Sequence, residues 1–171
     1  MEELLKEKLT GKLQKIYRYI ENEIEDVIRR LNEFRTNFEE LKKSLEIAFG
    51  EEIKEIDLER ALEFLNEACS KFPEFLNRFK ELPDKHLSEA KKFLEKTEEA
   101  IKKEGLMFIY IPNFEYIYKE ICKLCEQKGI DIEKLGKVNK LRKDYETLLG
   151  KNDDLNSMLR YFYEELLKSL L

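Results

Sequence analysis

KLQKIYRYIENEIEDVIRRLNEFRTNFEELKKSLEIAF, residues 12–49, decides the fold. After Leu13, its apolar positions are Tyr17, Ile20, Ile24, Val27, Leu31, Phe34, Phe38, Leu41, Leu45 and Ala48. Steps of three and four alternate throughout, the a/d spacing that keeps one stripe of an α-helix facing a partner. Tyr17, Ile24, Leu31, Phe38 and Leu45 fall at a. The e and g positions mix signs, with Glu21, Glu23, Arg30, Arg35 and Lys42 flanking the seam. Ile16, Ile28 and Phe49 widen the stripe beyond strict a/d, which suits a helix packed against more than one neighbour. No Gly or Pro interrupts the segment, and Gly50 stands where a helix commonly ends in a left-handed residue. The spacing predicts one long, coiled-coil-like N-terminal helix, extending over 1–49.

Beyond Gly50 the segments are shorter and carry boundary residues. Asp57 can cap a helix bearing Leu58, Ala61, Leu62, Leu65, Cys69 and Phe72, which Pro73 should end. Pro73 opens a segment through Leu82, and Pro83–Asp84 opens another that closes at Gly105. Asn113 and Asp131 mark two further starts, and a last helix should run from about Asp153 after a stop at Gly150. The expectation is an all-α, multi-helix bundle of six to seven helices, read as a single domain over 1–171. Leu106 to Ile111 is an apolar run with no second strand pattern to pair with, so it reads as a buried connector.

Composition narrows the class. Charged residues make up 40% of the 171 positions and hydrophobic residues 42%, with only six Gly and three Pro. Long helices with solvated outer faces follow. Thirty Glu and 24 Lys stand against two Gln, an enrichment that points to a thermophilic source, although nine Asn residues pull the other way. The longest apolar run is far short of the roughly 20 residues needed to cross a bilayer. MEELLKEKL at the start lacks the apolar core of a signal peptide. These features predict a cytoplasmic protein with no membrane contact. A net charge of −5 argues against attachment to nucleic acid by bulk charge and leaves only local basic stripes to consider.

Candidate chemistry is sparse. Cys122 and Cys125 have the spacing of a zinc or redox pair, but only Cys69 and His86 remain to complete a ligand set. Their helical register makes them small core residues instead. Glu51, Glu52, Glu55, Glu81 and Asp84 resemble the EExxE…ExxD metal-binding pattern of all-α nucleotide pyrophosphohydrolases. That resemblance implies Mg²⁺ held by carboxylates against a triphosphate. With 37 acidic residues in the chain such spacings are common by chance, and Asp84 also reads as a helix N-cap.

Two basic stretches are candidate nucleic-acid contacts. Lys8, Lys12, Lys15 and Arg18 recur at helical spacing with Tyr19 alongside; Lys134, Lys137, Lys140, Arg142 and Lys143 form the second. Interspersed acids, including Glu7 and Asp144, give each a plainer reading as a solvated helix face. Eleven Phe and eight Tyr, with the run Tyr161–Phe162–Tyr163, exceed what single helix faces bury, so some rings should stand at edges or a partner surface.

The leading expectation is a non-enzymatic helical interaction or assembly protein without a cofactor. Its seam Tyr17–Leu45 pairs with another helix, either in cis or in a homodimer or protein partner. The alternatives are a small all-α subunit of a nucleic-acid complex, of the CRISPR-effector kind, and the Mg²⁺-dependent hydrolase.

Overall fold

The structure is a computed structural model describing residues 3–103, 111, 114–129 and 132–170. The described residues are helical, without strands, and include five α-helices: α1 (Lys12–Phe49), α2 (Leu58–Glu81), α3 (Leu87–Lys103), α4 (Phe114–Gln127) and α5 (Ile132–Leu170). Three short 3-10 helices lie at Leu5–Glu7, Gly50–Glu55 and Leu82–Asp84. No described helix is long and apolar enough to cross a membrane.

Helix α1 takes the length its spacing predicts from Lys12, about 57 Å at 1.5 Å per residue. Its start is later than the predicted 1–49. Gly11 adopts φ +52 and breaks the chain direction. Residues before it instead turn through Leu5–Glu7 and pair with the entry to α3. Leu5 N–H donates to the Lys85 carbonyl at 2.9 Å, and Leu87 N–H to the Glu3 carbonyl at 3.0 Å. At the other end Gly50, at φ +56, closes α1. Asp57 caps α2, its Oδ1 accepting from Arg60 N–H at 3.1 Å.

The predicted count of six to seven helices falls to five because two expected breaks are overridden. Pro73 lies inside α2. Phe72, Leu76 and Phe79 continue the buried stripe of Leu65 and Ala68 across it, and that burial outweighs the hydrogen bond a proline cannot make. Gly150 likewise lies inside α5, where Leu148, Asn152 and Leu155 are buried on one face. An interior glycine costs only about 1 kcal/mol relative to Ala. Asp84 does not cap α3: it closes the 3-10 turn Leu82–Asp84 and pairs with Lys6 at 3.5 Å, three residues before α3 begins. The caps expected at Asn113 and Asp131, Gly105 and the run from Leu106 to Tyr110 lie outside the described residues.

The chain divides into two compact units: Met1–Ile28, Ser70–Phe108 and Gly150–Leu171 form one, Arg29–Cys69 and Ile109–Leu149 the other. In the first, the core is aromatic. Tyr17 stacks on Phe79 at 4.5 Å between centroids, and Phe162 meets both rings at 6.1 and 6.2 Å. Ile20, Ile24, Phe72, Leu82, Leu94 and Leu166 complete it. Lys151 reaches Asp26 at 2.9 Å and Glu23 at 3.5 Å, joining α5 to α1 at the margin.

In the second unit Tyr145 of α5 lies between Phe114 (4.2 Å) and Phe34 (6.0 Å). Its hydroxyl accepts from the buried N–H of Ile111 at 2.9 Å, which anchors the residue that ends the predicted connector. Leu31, Phe38, Leu65, Ile121 and Leu148 are further buried side chains of this unit. Lys42 bridges Glu46 and Glu59, both at 2.7 Å, so α1 and α2 are also tied electrostatically.

Candidate functional site

All nine seam residues, Tyr17, Ile20, Ile24, Val27, Leu31, Phe34, Phe38, Leu41 and Leu45, are buried within the single chain. Of the two arrangements the heptads allow, the apolar stripe therefore pairs in cis. It is core in both units. The stripe stops at Leu45, since Ala48 is exposed and Phe49 only half-buried. Of the widening positions, Ile16 is buried and Ile28 half-buried.

Outside the core, four large hydrophobic side chains among the described residues meet water: Ile47 at 87% exposure, Tyr116 at 56%, Tyr19 at 51% and Tyr161 at 36%. Tyr19 and Ile47 both occupy c positions of the heptad, on the outer side of the helix away from the a/d seam. That signal was present in the sequence and is easily passed over when only the seam is followed.

The first basic stretch is split by the fold. Lys8 lies outside α1 and pairs with Glu3 at 3.2 Å. Lys12, Lys15 and Arg18 stand exposed on the first two turns of α1, with Tyr19. The Lys12 ammonium lies 5.1 Å from the centre of the Tyr161 ring, a cation–π contact between α1 and α5. A hydrogen bond with Tyr161, with Glu165 nearby, raises the Lys12 pKa.

The second stretch lies on α5, where Lys137, Lys140 and Lys143 are exposed. Lys140 borders a hollow of about 140 Å³ that Arg30, Glu33, Phe34, Asp144 and Leu148 also line. Two cations and two carboxylates there balance each other. Arg142 is engaged on another side, its Nε 3.3 Å from Glu115 and its guanidinium 4.6 Å from the Tyr118 ring centre. The Tyr118 hydroxyl donates to Asn139 Oδ1 at 2.6 Å. The side chain of Lys134 lies outside the described residues.

Three of the five carboxylates of the hydrolase-like pattern are paired with cations. Glu51 pairs with Lys54 at 2.9 Å, Glu52 with Lys128 at 2.9 Å and Asp84 with Lys6 at 3.5 Å. Glu55 and Glu81 are exposed, in the second and first unit respectively. Among the described residues, no group of three or more His, Cys, Asp or Glu side chains is placed to hold a metal ion. Cys125 is buried and Cys122 and Cys69 half-buried, and none of the three is in a disulfide; burial pushes the Cys69 thiol up. His86 is exposed at the entry to α3, opposite Leu4 in an isolated antiparallel bridge.

Comparison with family models, curated proteins and solved structures finds no match to this chain.

Proposed function

We propose that the protein is a non-enzymatic helical interaction and assembly protein, acting through helix–helix contacts made by its outer faces. The observation that carries this reading is the C-terminal turn of α1. Ile47 is 87% exposed there, followed by exposed Ala48 and half-buried Phe49, after a seam that is otherwise sealed. Covering one such aliphatic side chain contributes about 1.5–3 kcal/mol, a useful share of a modest interface. A partner helix with an apolar stripe of its own would supply that cover.

Sedimentation velocity over a wide concentration range, with the wild type and Ile47→Glu, tests the reading for a second copy as partner. Association in the wild type and its loss in the variant are expected. For a different partner, crosslinking in the source cell through a photoreactive residue at 47 should yield a defined adduct. A monomer at every concentration that also gives no adduct overturns the proposal.

A further inference from the structure

A second surface lies in the other compact unit and is carried by different side chains, so it stands or falls apart from the reading built on Ile47. Residues 12–20 of α1 contain Lys12, Lys15 and Arg18 and no acid. The first turn of α1 has no acidic residue either, so these cations sit at the end of the helix dipole that disfavours positive charge. Lys15 and Arg18 are exposed and make no ion pair among the described residues, in a chain whose total charge is −5. Around Lys15 and Arg18 this face therefore keeps a positive potential that neither the helix dipole nor an ion pair among the described residues offsets.

Aromatic side chains accompany it. Tyr19 is half in water, one turn beyond Lys15 and two beyond Lys12. Tyr161 of α5 stands beside Lys12, which lies 5.1 Å from its ring centre. Glu165, on the turn of α5 after Tyr161, borders the face and contributes negative charge on that side. Cations that track a phosphate backbone, interleaved with rings on which bases can stack, are the elements of single-strand recognition. An acidic protein surface would use the cations and leave the tyrosines without a matching partner. Duplex binding would also make little use of the rings, because its bases are already stacked.

We propose that Lys12, Lys15, Arg18, Tyr19 and Tyr161 form a contact surface for single-stranded nucleic acid. Fluorescence anisotropy of a labelled oligouridylate or oligothymidylate of about 16 nucleotides, the upper end of one binding footprint, reads it directly. Binding at ~50 mM salt that weakens steeply with added salt is expected. Each single-strand phosphate contact contributes about 0.7 to the slope of log affinity against log salt, so Lys15→Glu with Arg18→Glu should lower that slope by about 1.4. Tyr19→Ala should weaken binding about 5- to 150-fold. Circular dichroism checks that each variant folds. Should the double reversal fail to fold, Lys15→Gln alone still lowers the slope by about 0.7 on this account.

Lys137→Glu with Lys143→Glu, two exposed α5 positions, serves as a charge-matched control that should bind nearly as well as the wild type. Polyglutamate of equal length should fail to compete. The proposal is overturned by absent binding at ~50 mM salt, by loss only in the α5 control, by equal capture of polyglutamate, or by indifference to Tyr19→Ala. None of these outcomes bears on association through Ile47, which Ile47→Glu reads separately.

Discussion

Tyr17 and Phe79 meet twice: their rings stack 4.5 Å apart, and the Tyr17 hydroxyl donates to the Phe79 backbone carbonyl at 2.6 Å. In a continuing helix that carbonyl would accept from the N–H four residues on, at position 83, which is a proline. A side chain from α1 thus satisfies a carbonyl left over at the end of α2. The long helix holds the first unit partly by closing off another helix.

Tyr17→Phe keeps the ring stack and orphans that carbonyl, so urea unfolding at pH 7 should show a loss of about 1–3 kcal/mol. Burial, and then Glu21 and Asp84, raise the Tyr17 phenol above its usual pKa of 10. Above about pH 10 the unfolded chain gives up this proton while the native state keeps it, so the native state binds more protons. Tyr17's contribution is thus complete below about pH 10 and declines as pH rises. In Tyr17→Phe the alkaline fall in stability should be shallower, by up to about 1.4 kcal/mol per pH unit. Parallel alkaline limbs in the two proteins would refute this assignment.

Pro73 is tolerated inside α2 by the burial on either side of it. Replacing it with Ala restores a donor for the Cys69 carbonyl and removes the ring from the preceding turn. Pro73→Ala should therefore raise stability by about 1–3 kcal/mol in thermal or urea melts. A loss of stability would mean that the proline ring itself is needed for packing.

The glycines divide by backbone conformation. A Cβ built at Gly136 or Gly150 meets no atom within 4 Å, and neither position has positive φ. Gly136→Ala and Gly150→Ala should each stabilise by about 0.5–1 kcal/mol through helix propensity. Gly50 has equal space but sits at φ +56, so Gly50→Ala should instead destabilise by about 1–2 kcal/mol. Differential scanning calorimetry of the three variants separates the signs.

Because the seam is intramolecular core, Leu31→Ala should cost about 2–5 kcal/mol. Its Tm should fall by the same amount at low and high protein concentration. A deficit that shrinks at high concentration would instead mean that a second chain covers Leu31.

The identity of α1 was legible because a 3.5-residue repeat can be read without knowing what lies opposite. Its closure at Gly50 was also legible, since positive φ suits a residue without Cβ. The helix boundaries expected at Pro73 and Gly150 were not. Each residue opposes helix locally, and the opposition is overcome by apolar contacts from distant parts of the chain, such as Phe79 with Phe162 across the Pro73 segment. Lys8 was misplaced for a related reason: its spacing fits the helix, but Gly11 turns the chain before the helix begins.

Sequence by itself determined that this chain is helical, how long α1 is from Lys12 onward, and which of its residues face inward. Those properties follow from local geometry and periodicity. Only the tertiary structure decided that the seam is covered in cis, that Tyr17 completes the end of α2, and that Tyr161 stands beside Lys12. Each of these depends on which side chains, scores of residues apart, come within a few ångströms, and the periodicity of one helix carries no record of that.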